Sequence, residues 1–287
     1  MGLGVLPYHA ARWVTAGLPP GACLRFGEGL ADWQYRLSAS DRAIVRANLS
    51  VVMERPSAER SAEVRDVFRH FGRYLTEFLL AHRWGRAGFR VDGCDELLER
   101  FRPHRSVIVL SAHIGNWELG GMAMGWLGLP VSVVALPHRD PAVDRLFNRQ
   151  RRQAGVGVIP LNVHATRRCL ERLRAGGVVC LLGDREFSAS GVAVNCFGQA
   201  VSVPRGPALL SLRAGAPMVP VFCIREGPRH LRFYTEPAIP PLPALDPPTA
   251  VRQMMQQYAD VLERYLRRFP TQWLMFKNAF HDLPRPR

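Results

Sequence analysis

The sequence has little lysine, no closely paired cysteines and no long apolar run. Its single lysine, Lys277, leaves arginine to supply nearly all of a formal net charge of +14 over 287 residues. No stretch of about 18 uncharged apolar residues occurs, so no membrane-spanning helix is expected. The six cysteines are widely spaced without a C-x-x-C pair, which indicates reduced thiols in a cytosolic compartment rather than a disulfide framework.

Motifs for common cofactors are also missing. The strand-to-helix turns contain neither G-x-G-x-x-G nor G-x-x-x-x-G-K-[ST], and no H-E-x-x-H or histidine cluster has the spacing of metal ligands. We therefore expect no metal and no bound cofactor. The positive charge suggests an anionic partner, namely nucleic acid, an anionic membrane surface or a phosphorylated substrate. Since no basic-aromatic recognition motif or basic tail is present, a nucleic-acid partner is not expected.

The first hundred residues have a helical pattern. Residues 40–54 and 61–84 place apolar side chains at three- and four-residue steps, with arginines between them in the second segment. Such a helix either covers a protein core or lies in a membrane interface, and the first interpretation is favoured. Residues 1–36 are too interrupted by charge and proline to span a bilayer or to serve as a signal peptide.

From residue 106 onward, short apolar runs alternate with helical patterns. The predicted strands are 106–110, 131–136, 157–161, 177–184, 217–225 and 230–236, and the predicted helices are 116–127, 140–154, 164–175, 205–215 and 249–268. Strands that are apolar on both faces favour an α/β fold with a central, mostly parallel sheet flanked by helices on both sides. We expect a single domain over 1–287, with a helical region at 1–100 and an α/β core at 101–287.

The segment "SAHIGNWELGG" (111–121) carries the strongest indication of chemistry. His113 follows the first predicted strand, at the sheet edge where ligands bind, and Asn116 is expected to start the next helix. Glu118 then falls in the first helical turn and can turn back to the imidazole, which would fix its tautomer and make it a general base. The alternative is that His113 and Glu118 form a capping pair without catalytic function.

Several ordered blocks resemble one known family. "HIGNWE" is similar to the H-x-x-x-x-D/E block of the glycerolipid acyltransferase superfamily, in the form found in bacterial lipid A late acyltransferases and phosphatidylinositol mannoside acyltransferases. The segments that begin with "PHRDPAVDRLF" and "LLGDREFSASG", and the segment "PTQWLMFKNAF", resemble further blocks in the same order. The resemblance covers roughly residues 40–280 and implies a glycerol-3-phosphate acyltransferase-like fold.

This resemblance implies transfer of a fatty acyl group from a thioester of acyl carrier protein or coenzyme A to a hydroxyl of a glycolipid. His113 would deprotonate the acceptor and Glu118 would orient the imidazole. The acceptor would be a lipid A precursor or a phosphatidylinositol mannoside. The protein would lie peripherally at the cytoplasmic face of the inner membrane, attached to its anionic surface by amphipathic helices and arginines.

Other residues are expected to bind substrate. Gly115 and Arg185 are candidates for oxyanion stabilisation, and Asn116 lies within the same motif. By the resemblance, Arg139 and Arg152 are preferred for phosphate contacts. For Arg149 and Arg151, a phosphate contact and a solvated basic face both stay open. The remaining candidates are Asp184, which would contact substrate or hold Arg185, and Glu186, which would contact the imidazole or the acceptor.

Two other functions stay open at this stage. A thioester or phosphoester hydrolase could use the same histidine and glutamate, although no serine or cysteine nucleophile motif is present. A basic nucleic-acid-binding protein would account for the net charge alone.

Overall fold

A computed structural model describes residues 17–54, 61–186 and 190–280. Within these ranges, three α-helices precede the sheet: α1 (Pro20–Leu37), α2 (Ala39–Val52) and α3 (Ser61–Trp84). The apolar side of α3 is buried, as the core interpretation of this helix predicts. The expectation that residues 1–36 do not span a membrane falls partly on residues 1–16, outside the described residues. No helix of the described ranges has the length and apolar composition needed to cross a bilayer.

The described residues that follow α3 form a seven-stranded sheet, a separate two-stranded hairpin and the connections between them. The strands of the sheet are β1 (Arg90–Asp92), β2 (Val107–Ser111), β3 (Val131–Ala135), β4 (Gly157–Pro160), β5 (Val178–Leu182), β8 (Met218–Gly227) and β9 (His230–Thr235). The helices are α4 (Cys94–Phe101), α5 (Trp117–Trp126), α6 (Pro141–Gln153), α7 (Ala165–Arg174), α8 (Gly206–Ala214) and α9 (Pro247–Arg268). The strand order is β1-β9-β8-β2-β5-β3-β4.

The predicted α/β fold is confirmed, and all six predicted strands are present. Five neighbouring strands from β8 to β4 are parallel, whereas β9 pairs antiparallel with β8 and β1 runs parallel to β9. The prediction omitted α1, α4, the short strand β1 and a separate hairpin of β6 (Val192–Cys196) and β7 (Gln199–Val203).

The central strand β2 shows how the sheet is covered on both faces. All five of its residues are buried. Val107 and Val109 face one cluster that includes residues of α3 to α6, while Ile108 and Leu110 face another that includes residues of α7 to α9. Each face buries apolar surface, which stabilises the fold by about 25 cal/mol per Å² removed from water. The sheet therefore has two helical layers, and loops at its carboxyl edge are held by rigid strands.

Candidate active site

The parallel register places His113 beside Asp184. Strands β2 and β5 are neighbours, Ser111 pairs with Leu182, and the Gly183 N–H donates to the Ser111 carbonyl at 2.8 Å. His113 and Asp184 each lie two residues past these paired strand ends, so they are level at the carboxyl edge of the sheet. This edge is where parallel α/β sheets bind ligands.

The Asp184 carboxylate accepts three hydrogen bonds. His113 donates Nδ1–H to Oδ1 at 2.8 Å and its backbone N–H to Oδ2 at 2.9 Å, and Trp273 donates Nε1–H to Oδ2 at 3.0 Å. The Asp184 side chain is only 1% exposed. Burial by itself would raise the pKa of Asp184, but the charge and hydrogen bonds of His113 and the Trp273 bond outweigh it and lower the pKa. Asp184 is therefore an anion in the folded protein.

The anionic acceptor at Nδ1 determines the tautomer of the His113 imidazole. The proton resides on Nδ1, so the Nε2 lone pair is available as a base. No described residue forms a hydrogen bond with Nε2, and His113 is among the residues that line a cavity. The edge of the Trp117 indole supports the ring at 5.0 Å between centroids, and Tyr74 stacks on Trp117 at 4.3 Å. His113 is thereby fixed in orientation with its basic nitrogen free.

The cavity has a volume of about 240 Å³ and lies between α5 and the sheet. Val109, Val133, Val221 and Phe233 form part of its wall, Met124 contributes from α5, and the polar lining residues include Ser111, His113, Glu118, His138 and Arg151. An apolar wall with few polar groups is typical of small-molecule and cofactor sites.

The structure gives Glu118 a different partner from the one predicted. Its carboxylate binds the Arg151 guanidinium at both oxygens, with Nε to Oε2 at 2.9 Å and a second bond from Nη2 to Oε1. Both side chains are below 10% exposed, and a buried carboxylate needs a paired cation. Since α5 directs Glu118 toward α6, Asp184 rather than Glu118 orients the imidazole. Glu118 and Arg151 both line the cavity, and a role of Glu118 in the reaction stays a prediction.

Gly115 and Asn116 have structural roles that differ from the predicted substrate contacts. Gly115 has φ of 65° and donates its N–H to the Gln272 carbonyl at 3.0 Å, so this N–H is not available to an oxyanion. A Cβ there would lie 2.1 Å from the Cys223 carbonyl oxygen, which explains the glycine. Asn116 is fully buried and caps α5 by accepting from the Leu119 N–H at 3.1 Å.

A buried network of polar side chains, which the sequence analysis did not predict, supports the loop between β2 and α5. Asn116 donates to Glu77 Oε2 at 2.8 Å, and Arg225 binds the same carboxylate through Nη2 at 2.6 Å and through Nη1. Gln272 exchanges two hydrogen bonds with the Arg225 backbone at 2.9 and 3.0 Å. Glu77 is completely buried, and a charge on the apolar side of α3 is the one sequence signal that could have revealed it.

The predicted phosphate-binding arginines lie on the surface. Arg139, in the loop after β3, and Arg152, in the last turn of α6, are both exposed, as is Arg149. Of the two alternatives for Arg151, the solvated basic face is excluded, because helix α6 turns this residue inward to Glu118. The structure therefore separates one buried arginine of α6 from its exposed neighbours.

Two further candidates follow Asp184 without lining the cavity. Burial lowers the pKa of Arg185, and the adjacent Asp184 charge opposes this effect. The Glu186 carboxylate is directed to the start of β6, since a Cβ on Gly191 would lie 3.0 Å from its Oε2. Glu186 thus contacts the hairpin region rather than the imidazole.

The thiols near the cavity are not activated. The six cysteines are thiols that form no disulfide, and burial raises the pKa of Cys180 to about 12 and that of Cys223 further. Neither is therefore a thiolate nucleophile at neutral pH. Among the described residues, no group of three His, Cys, Asp or Glu side chains could hold a metal ion.

Comparisons with known proteins identify the family of the chain. The chain is 29% identical to the phosphatidylinositol mannoside acyltransferase of Mycolicibacterium smegmatis over 281 residues, which cover 94% of this chain and 89% of the relative. The protein of the same name from Mycobacterium tuberculosis strain CDC 1551 is 29% identical over 191 residues, covering 65% of this chain and 58% of the relative. Residues 4–282 match the family described as bacterial lipid A biosynthesis acyltransferase. The chain belongs to this family and is an acyltransferase of lipid biosynthesis.

Proposed function

We propose that the chain transfers a fatty acyl group from an acyl thioester to a hydroxyl of a glycolipid, with His113 as the general base. The observation that carries this proposal is the His113–Asp184 pair: Asp184 binds Nδ1, which leaves Nε2 as the basic nitrogen, and His113 lines an apolar cavity. The names of the relatives favour an acceptor of the phosphatidylinositol mannoside type over a lipid A precursor. The donor is an acyl-CoA or an acyl carrier protein thioester.

The proposed reaction is a direct transfer without a covalent acyl-enzyme. Nε2 removes the proton of the acceptor hydroxyl while its oxygen attacks the thioester carbonyl carbon. The tetrahedral intermediate then collapses, the carbon–sulfur bond breaks, and the leaving thiolate takes the proton from Nε2. Asp184 stabilises the imidazolium that forms between the two steps. The high pKa of Cys180 and Cys223 favours this route over a thiol nucleophile.

The start of α5 is our candidate for stabilising the oxyanion. Trp117 and Glu118 are its first two residues, and no described residue accepts a hydrogen bond from their backbone N–H groups. The free N–H groups and the positive end of the helix dipole lie four and five residues from His113 in sequence. This assignment replaces Gly115, whose N–H is occupied. Arg185 is less suitable because it does not line the cavity.

The transfer is tested with purified protein, acyl-CoA or acyl carrier protein thioester, and a phosphatidylinositol mannoside. We expect an acylated lipid by mass spectrometry and loss of activity of at least about 10³-fold in His113→Ala. The matched control is His104→Ala, since His104 precedes β2 at the opposite edge of the sheet. Thiol release at equal rates with and without acceptor would instead identify a hydrolase. Full activity in His113→Ala would remove the proposed base.

We further propose that the protein acts as a peripheral protein at the cytoplasmic face of the inner membrane. A lipid acceptor requires access to a bilayer, and the net charge of +14 favours an anionic surface. Flotation of the protein with inner-membrane vesicles, reversed by high salt, is the expected result. Recovery of all the protein in the unbound fraction at low salt would contradict this localisation.

A further inference from the structure

Three large apolar side chains protrude from neighbouring loops at the carboxyl edge of the sheet. Leu136 follows β3, and Leu161 and Val163 follow β4; their exposed fractions are 53%, 41% and 92%. We call these three residues the apolar rim. Ala135 pairs with Pro160, and the Leu161 N–H donates to the Ala135 carbonyl at 2.8 Å, so the two loops leave the sheet side by side. Exposed apolar side chains in one place mark an interaction surface.

The apolar rim is continuous with the cavity of the candidate active site. Leu136 and Leu161 line this cavity together with His113. Val163 extends beyond them and does not line it. A lipid chain that enters between Leu136 and Leu161 would reach the reacting centre without crossing a polar surface.

Positive charge surrounds the apolar rim. Arg139 follows Leu136 by three residues, and Arg167 and Arg168 lie in the first turn of α7; all three are exposed. The acidic groups in these segments are engaged locally: Asp140 caps α6, Asp144 accepts from the His138 N–H at 3.0 Å, and Glu171 pairs with Arg167 at 3.7 Å. Arg139 and Arg168 therefore contribute most of the positive charge beside the rim. Aliphatic side chains that project from a basic surface have the composition of an anionic membrane contact.

We infer that the apolar rim inserts into the surface of an anionic bilayer and places the cavity mouth at the lipid headgroups. This inference rests on the proposed function, because it identifies the surface through which a lipid substrate enters. The chemistry favours lipid over an acidic carrier protein, since a nearly fully exposed valine adds nothing to a purely ionic contact. A second exposed set, Leu30, Trp33 and Leu37 on α1, has no such continuity with the cavity.

The test measures binding to vesicles of phosphatidylcholine mixed with phosphatidylglycerol, and to vesicles of phosphatidylcholine alone. We expect binding to the mixed vesicles, and affinity reduced roughly tenfold in Val163→Asp through lost apolar insertion and added negative charge. The matched control is Leu245→Asp. Leu245 is 37% exposed and follows the Met218–Ile239 bridge at the opposite sheet edge, so this variant is expected to bind normally.

A fluorophore attached to Val163→Cys reports depth directly. Its emission is expected to shift to shorter wavelength on vesicle binding, whereas the same label on Leu245→Cys stays in water. Absence of vesicle binding, or binding without a shift at position 163, would overturn the inference; in the second case α1 becomes the contact. Binding to acyl carrier protein that Val163→Asp abolishes, with vesicle binding intact, would assign the rim to the donor instead.

The failure of this inference is distinguishable from failure of the proposed function. Val163→Asp is expected to retain native turnover with detergent-dispersed substrates, because Val163 does not line the cavity. Vesicle binding through the rim without any acyl transfer would leave the surface assigned and refute the reaction. Acyl transfer without rim-dependent binding would support the reaction and refute the assignment of the surface.

Discussion

Replacement of Asp184 by asparagine removes the negative charge while keeping the shape of the side chain. Both N–H donors from the His113 backbone and Trp273 bind Oδ2, whereas Nδ1 of His113 binds Oδ1. An asparagine that keeps its carbonyl oxygen at the Oδ2 position retains two of the three bonds. Its NH2 group then faces Nδ1 and can only donate, so the imidazole proton moves to Nε2. The base is lost while the loop keeps its geometry.

The expected effect of Asp184→Asn is a fall in kcat of about 10³-fold to 10⁴-fold, equivalent to about 4–5 kcal/mol of transition-state stabilisation. The assay is thiol release that depends on acceptor, with thermal unfolding to check the fold. Trp273→Phe is the control, since it removes one hydrogen bond to Oδ2 and should cost only about tenfold. A folded Asp184→Asn protein that turns over at close to the native rate would refute the assignment of Asp184.

Three further perturbations test the surrounding structure. Gly115→Ala should lower the free energy of unfolding, measured by urea titration, by about 3 kcal/mol or more, because its Cβ meets a backbone carbonyl. The control Gly128→Ala also has positive φ but nothing within 4 Å of the added Cβ, so it should cost only about 1 kcal/mol. Glu118→Gln removes the negative charge that balances the buried Arg151 guanidinium, and it should lower the free energy of unfolding by about 3–5 kcal/mol. An unchanged urea midpoint would contradict the pairing. Four hydrogen bonds from Arg65 and Arg69 lower the pKa of Asp32 on α1, so the contribution of this carboxylate to stability is complete above the unfolded pKa of about 4 and is lost as pH falls toward the folded value. The stability difference between native protein and Asp32→Asn should therefore be smaller at about pH 3 than at neutral pH, and an equal difference at both would be the contrary result.

Hydrophobic periodicity was sufficient for most of the fold. The helix predicted at 61–84 has those bounds in the structure, and the capping residue Asp140 with Pro141 marked the start of α6 correctly. The hairpin of β6 and β7 was missed although its strands alternate exposed and buried residues, because this segment was interpreted only as part of a family block. The antiparallel direction of β9 depends on the tight connection from Gly227 to His230, which periodicity does not encode.

The site was predictable only in part, for a physical reason. His113 was found because it follows a strand, but its partner depends on which strand lies beside β2, and sequence order does not give this neighbour. Asp184 stands at the same position relative to β5, 71 residues away. Glu118 is nearer along the chain, yet the rise of α5 carries it to Arg151. Proximity in sequence therefore favoured the wrong carboxylate for the imidazole.

The carboxyl-terminal segment after α9 has a consequence for the order in which the centre is assembled. Trp273 reaches Asp184 across 89 residues, the Leu274 N–H donates to the His113 carbonyl, and the Gly115 N–H donates to the Gln272 carbonyl. During synthesis on a ribosome, the strands can emerge and pair long before this segment leaves the exit tunnel. The nascent chain thus holds its histidine loop without those supports until residues 272–274 have left the tunnel, and competence to react comes late in the assembly of the protein.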